Sequence, residues 1–185
     1  MPGCGKSTVG RQLAKRLDLP LYDTDHEIES VLGVSVRELF EQRGEAAFRD
    51  LEQEAVDVLM QRPRGIVATG GGAVLRAANR AALRERSLVL YLKSTPEDLF
   101  KRLRKDHRRP LLQVADPLAK LQSLWLERDP LYREVAHFVI ETGRSTLHST
   151  VHLVLMQLEM AGMIVGNRLV TADVALPTGR PEVAP

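Results

Sequence analysis

Pro2-Gly3-Cys4-Gly5-Lys6-Ser7-Thr8 is the first stretch whose residue types and spacing suit chemistry. Glycines let successive backbone N–H groups turn inward around phosphate oxygens. A lysine then reaches the β- and γ-phosphates of a nucleotide, and a serine hydroxyl coordinates Mg²⁺. The spacing predicts a helix from about Lys6 to Leu17, which adds the positive end of its dipole. Gly3, Cys4, Gly5, Lys6, Ser7 and Thr8 are therefore candidate nucleotide-binding residues. Cys4 is the single cysteine, so an internal disulfide is excluded. A small residue is what such a loop accommodates, and Cys4 is read as that rather than as a nucleophile.

The full motif G-x-x-x-x-G-K-[ST] requires a glycine five positions before Gly5, one residue ahead of Met1. It also requires a strand feeding the loop, in the middle of a sheet. The expectation is that the natural protein starts upstream and that Met1 is a misassigned or artificial start.

Further along, Asp23 and Asp25 flank Thr24 at the end of an apolar run, where open α/β sheets bind ligands. Read alone, the pair is either a ligand-binding constellation or a capped turn. Gly70-Gly71-Gly72 follows a second apolar run and precedes a segment, Ala73 to Leu83, that reads as helical. Three glycines permit close backbone approach to a ligand and offer N–H groups at a helix start, or they form a plain tight turn. A basic cluster, Lys101-Arg102-Leu103-Arg104-Lys105 with His107-Arg108-Arg109, suits a nucleic-acid patch, a solvated helix face or a phosphate-binding lid.

The elements that would position these residues alternate. Four short apolar runs read as buried parallel strands: Leu19 to Asp23, Gly65 to Thr69, Leu88 to Leu92 and His137 to Glu141. Helical spacing separates them, in Val36, Leu39 and Phe40 and again in Phe48, Leu51, Ala55, Val58 and Leu59. Ser94-Thr95-Pro96-Glu97 is a helix start, and Val151 to Met160 reads as a last amphipathic helix. Strands alternating with helices predict one α/β domain with a parallel sheet over residues 1–161. Residues 162–185 read as a flexible tail, with a weak strand signal at Arg168 to Leu176.

Several pieces occur together in order: Tyr22-Asp23-Thr24-Asp25, Gly44-Glu45-Ala46-Ala47-Phe48-Arg49, Ala68-Thr69-Gly70-Gly71-Gly72, Arg109-Pro110-Leu111-Leu112 and Glu127-Arg128-Asp129-Pro130-Leu131-Tyr132. With the phosphate loop, this set resembles the shikimate kinases, from Pro2 to about Met160. The resemblance implies a P-loop NTPase three-layer sandwich with five parallel strands, the first apparently missing here, helices on both faces and a mobile lid at about 102–115. It implies transfer of the γ-phosphoryl of ATP to the 3-hydroxyl of shikimate, within aromatic amino-acid biosynthesis. By the same likeness Asp23 helps hold Mg²⁺ with Ser7, through water, and Asp25 orients the attacking hydroxyl. Arg49 and Arg128 grip the substrate carboxylate, and Gly70, Gly71 and Gly72 contact the substrate. Arg109 closes over the transferring phosphoryl group, Arg102 flanks the nucleotide and Arg144 borders the adenine. Lys6, Asp25 and Arg109 are the catalytic set.

Composition narrows the rivals. A formal charge of +2 and eight aromatic residues (four Phe, three Tyr, one Trp) argue against a nucleic-acid platform. No apolar stretch is long enough for a membrane span, and nothing resembles a secretory signal. A cytoplasmic monomer with ATP, Mg²⁺ and a small anionic metabolite as its partners is the expectation. The alternatives are another small-metabolite kinase, acting on a sugar acid or nucleotide, and a non-catalytic nucleotide-binding relative.

Overall fold

The computed structural model describes residues 1–104, 114–143, 145–166, 168–170 and 182–183 of the 185-residue chain. Helix α1 (Lys6–Leu17) begins directly behind the phosphate loop, and Val9, Leu13, Ala14 and Leu17 form its buried stripe. It ends where Asp18 takes a left-handed conformation (φ 52°, ψ 51°). The chain then enters β1 (Leu21–Asp23), which pairs in parallel with β2 (Ile66–Ala68), Leu21 opposite Ile66 and Asp23 opposite Ala68. A second parallel ladder joins β3 (Leu90–Lys93) to β4 (Phe138–Glu141), Leu90 opposite Phe138. Three of these strands fall inside the runs expected from sequence, each shorter by a residue or two at one or both ends, while β3 starts two residues later than its run and extends one residue past it, to Lys93.

Local chemistry explains where the intervening helices begin. Asp23 caps α2 (Thr24–Leu32). Ser35 and Glu38 form a reciprocal capping box at the start of α3 (Val36–Leu59), which is interrupted at Gly44. Thr95 caps α5 (Pro96–Leu103), with Pro96 in the first turn and Glu97 and Asp98 beside the positive helix end. Asp116 and Pro117 open α6 (Pro117–Val135), and Thr146 caps α7 (Leu147–Met160), four residues ahead of the expected start.

One expectation needs correcting. Ala73 to Leu83 is not one helix. A single 3₁₀ turn (Ala73–Leu75) is followed by extended Arg76 (φ −83°, ψ 128°), and α4 runs Ala77–Arg86. Side chains hold the break open. Asn79 Nδ2 donates to the Ala73 carbonyl (2.9 Å) and Arg80 Nη1 to those of Val74 and Leu75 (2.9 and 3.2 Å). The triple-glycine loop therefore leads into a 3₁₀ turn rather than an α-helix N-terminus.

Helices α1 and α7 pack on each other, α1 against β1 and β2 and α7 against β4; α3, α4, α6 and α5 pack in series. The main core joins Leu13, Leu99, Leu121, Val139, Ile140, Val151 and Val154, all almost fully buried. Beyond Gly162 a short antiparallel hairpin forms, β5 (Ile164–Val165) with β6 (Arg168–Leu169), and β7 (Glu182–Val183) pairs in parallel with the edge of β4. Among the described residues, no helix is long and apolar enough to cross a membrane.

Candidate active site

The phosphate loop is shaped by its glycines. Gly3 has φ 74°, and a Cβ placed on it would lie 2.7 Å from the Leu103 side chain, so a side chain is excluded by conformation and by space. Gly5, with φ 93°, caps α1 without a side-chain hydrogen bond, which leaves the first-turn N–H groups free for an anion. Lys6 Nζ donates to the Met1 carbonyl (2.9 Å) and lies 3.8 Å from Cys4 Sγ. Burial opposes ionisation of the Cys4 thiol, but Lys6 and the chain's amino group outweigh it and hold the thiol below its ordinary range. Ser7 and Thr8 are exposed in the first turn.

Asp23 joins this loop to the other half of the site. Its Oδ2 lies 3.3 Å from Ser7 Oγ, and its Oδ1 accepts the Asp25 backbone N–H (3.0 Å). One carboxylate thereby touches the nucleotide side and sets the start of the helix that presents Asp25. Burial pushes the Asp25 carboxyl above its ordinary range and the Asp23 charge adds to this, while Lys6 and Arg49 work against it.

The three glycines each face a different candidate side chain. A Cβ on Gly70 would sit 2.9 Å from Asp25 Oδ1 and closer still to Glu52 Oε1. The Gly71 carbonyl accepts from Arg128 Nη1 (3.2 Å) and Tyr132 OH (2.5 Å). A Cβ on Gly72 would collide with the Arg49 guanidinium. Asp25, Arg49 and Arg128 thus converge on one loop, although they come from α2, α3 and α6.

Both arginines are buried, at 9% and 6% exposure, so neither is an ordinary solvated helix residue. Arg49 Nη1 pairs with Glu52 Oε2 at 2.6 Å and Nη2 with Glu45 Oε1 at 2.9 Å, and its guanidinium lies 5.2 Å from the Phe48 ring centroid. Arg128 Nε is buried without a hydrogen bond; its nearest acid is Glu127, at 3.7 Å. An unsatisfied buried guanidinium nitrogen is costly in isolation and marks a place where an anion would be welcome.

Glu52 was not found by sequence reasoning. It is 1% exposed, its Oε1 has no hydrogen-bond partner, and burial pushes its carboxyl up although Arg49 pulls it down. The signal was present, since Phe48, Glu52, Ala55, Val56 and Leu59 share one buried stripe and an acid on such a stripe requires a partner. Tyr132 was also missed as a contributor. It stacks on Tyr91 (4.9 Å) and its hydroxyl accepts from the Met1 amino group (3.0 Å).

Arg102 reaches across to the segment after β4, donating to the carbonyls of Thr142 and Gly143 (2.9 Å to the latter). Arg109, Arg144 and most of the expected lid lie outside the described residues.

For a metal, the donor set fits Mg²⁺: a hydroxyl and a carboxylate beside a phosphate loop, with the remaining positions left to water and phosphate oxygens. Among the described residues no cluster of three or more His, Cys, Asp or Glu is placed to hold a metal without such help.

The shikimate kinase family model matches residues 2–159. A shikimate kinase of Ralstonia nicotianae is 58% identical over 163 residues, covering 88% of this chain and 86% of that one. One from Burkholderia pseudomallei is 57% identical over 162 residues, covering 88% of each. Among solved structures, a shikimate kinase from Acinetobacter baumannii in complex with shikimate superposes with a TM-score of 0.81 at 42% identity, covering 88% of this chain and 90% of that one.

Proposed function

The chain belongs to the shikimate kinase family, ATP-dependent phosphotransferases acting on a hydroxyl group, and we propose that it transfers the γ-phosphoryl of ATP to the 3-hydroxyl of shikimate with the following division of labour. The loop from Gly3 to Thr8 binds the nucleotide phosphates through its N–H groups, and Lys6 leaves its internal bond to Met1 for the β- and γ-phosphates. Mg²⁺ would be held by Ser7 and, through water, by Asp23, and would neutralise phosphate charge. Arg49 and Arg128 grip the acceptor carboxylate with planar guanidinium groups, a geometry lysine does not match. The loop from Gly70 to Gly72 lets the ring approach.

Asp25 accepts a hydrogen bond from the attacking hydroxyl and aims it at the phosphorus. Its raised basicity suits it to take the proton as the new P–O bond forms and the bond to ADP breaks. Arg109 stabilises charge on the transferring group, Arg102 flanks the nucleotide and Arg144 borders the adenine; for Arg109 and Arg144 the support is the resemblance alone. The protein acts as a cytoplasmic monomer without nucleic-acid or membrane partners.

One observation carries this reading. Asp25, two buried arginines and the phosphate loop meet at a single triple-glycine turn. The test is a coupled ADP-release assay. Shikimate-dependent release that Arg49→Ala weakens mainly through the shikimate KM supports it. Absence of both shikimate binding and shikimate-dependent release overturns it.

A further inference from the structure

Helix α6 brings more to the triple-glycine loop than Arg128. Tyr132 lies one turn further along the same face, and both side chains donate to a single oxygen, the Gly71 carbonyl. The hydroxyl is the closer of the two, at 2.5 Å against 3.2 Å for Arg128 Nη1. Two donors on one oxygen fix the plane of the peptide that joins Gly71 to Gly72. That peptide is trans, and a trans peptide holds its N–H opposite its carbonyl. With the carbonyl turned toward α6, the Gly72 N–H is turned away from it. No backbone carbonyl among the described residues accepts that N–H. The same peptide also lies between the two guanidinium groups assigned to the acceptor carboxylate: Arg128 holds its oxygen, and a Cβ on Gly72 would overlap Arg49.

Tyr132 is itself held from behind. Its ring stacks on that of Tyr91 in β3, with centroids 4.9 Å apart. Tyr91 OH donates to Asp129 Oδ1 (2.8 Å), and Arg133 Nε donates to Asp129 Oδ2 (2.7 Å). Both oxygens of a carboxylate that is only 7% exposed are thereby satisfied, and α6 is tied to the sheet between Arg128 and Tyr132. A hydroxyl on a ring already confined by packing gives up little further freedom when it holds Gly71. Burial pushes both phenols above their ordinary range, so each hydroxyl keeps its proton and remains a donor.

We propose that Tyr132 is a positioning residue for the acceptor: by fixing the Gly71 carbonyl it aims the Gly72 N–H at the acceptor's anionic group, as a third donor beside Arg49 and Arg128. Hydrogen bonds received by a carbonyl polarise its peptide and strengthen the N–H as a donor. The gain is greatest toward a full negative charge, because hydrogen bonds to ionised groups are the stronger ones. Tyr132 therefore favours an anionic acceptor over a neutral one while acting only through Gly72. The proposal rests on the acceptor assigned above and adds to it the residue that orients the backbone donor.

The experiment compares the unsubstituted chain with Tyr132→Phe, which keeps the ring and its stacking and removes the hydroxyl alone. NMR titration gives Kd for shikimate and for a neutral analogue whose carboxylate is reduced to –CH₂OH, and follows the Gly72 amide proton. Tyr132→Phe should weaken shikimate about 3- to 10-fold, the worth of one hydrogen bond. It should weaken the neutral analogue by less than about twofold, since the lost donor strength matters mainly to a charge. The downfield shift of the Gly72 amide proton on adding shikimate should shrink in the variant. Equal weakening of both ligands, as a merely structural loss would give, overturns the proposal. So does an unchanged shikimate Kd or an unchanged Gly72 shift. If Tyr132→Phe does not fold, Tyr91→Phe, which frees Tyr132 from behind, is read by the same outcomes: selective loss of shikimate supports the proposal, and equal or no loss overturns it. Failure of the unsubstituted chain to bind shikimate overturns the acceptor assignment and this proposal with it. Binding that the variants leave unselective overturns the proposal alone.

Discussion

Replacing Gly72 by alanine isolates the role of Arg49. Gly72 has φ −101°, a conformation alanine adopts without strain, so the effect is purely one of contact. The new methyl would overlap Nη1, Nη2 and Cζ of Arg49. That guanidinium has little freedom to yield, because Glu52 holds it at 2.6 Å, Glu45 at 2.9 Å, and the rings of Phe48 and Phe40 lie at 5.2 and 5.8 Å. It must therefore leave its position, losing at least one charge-assisted hydrogen bond of about 1.5–3 kcal/mol. If the same displacement removes its grip on the acceptor carboxylate, shikimate binding weakens by roughly 10- to 150-fold at about 1.4 kcal/mol per decade. The assay is coupled ADP release at varied shikimate and varied ATP, in Gly72→Ala, Arg49→Ala and the double variant. The shikimate KM should rise in each single variant while the ATP KM stays near its starting value. The double variant should match Arg49→Ala, since the methyl then enters vacated space. Additive effects, or an unchanged shikimate KM in Gly72→Ala, refute the reasoning.

Other consequences follow from the same contacts. Asp25 binds a proton more readily folded than unfolded, so its charged form costs stability that is recovered as pH falls through its raised pKa. Asp25→Asn should therefore raise the melting temperature at neutral pH while lowering kcat by about 10²–10⁴-fold, and calorimetry with turnover checks both. Asp23→Asn should raise the Mg²⁺ concentration needed for half-maximal rate by about 10–100-fold, as outer-shell carboxylates do, read from a Mg²⁺ titration of ADP release. Tyr132→Phe removes one of two hydrogen bonds to the Gly71 carbonyl and should cost about 0.5–1.5 kcal/mol in urea denaturation.

The parts legible in the sequence were those governed by local rules. The helix behind Gly5 was placed at Lys6 to Leu17, which are its bounds, because a phosphate loop and a leucine repeat fix both ends. The four strands were legible as apolar runs between turn residues. The break at Arg76 was not, since it is held by Asn79 and Arg80 reaching back to carbonyls, contacts that helical periodicity does not register. The positions of Asp25, Arg49 and Arg128 in sequence were suggestive, but their meeting at Gly70 to Gly72 is a product of tertiary packing. Glu52 does not stand out in the sequence, because an acid three residues from an arginine is usually a surface pair; here the pair is buried.

Asp23 has a consequence beyond its contacts. Because one of its oxygens touches Ser7 and the other fixes the first turn of α2, the donor and acceptor halves share a single mechanical reference. With the roles proposed for Ser7 and Asp25, a shift at the phosphate end would be transmitted as an error in the aim of the attacking oxygen, so the two substrates should sense each other's arrival without a distant relay.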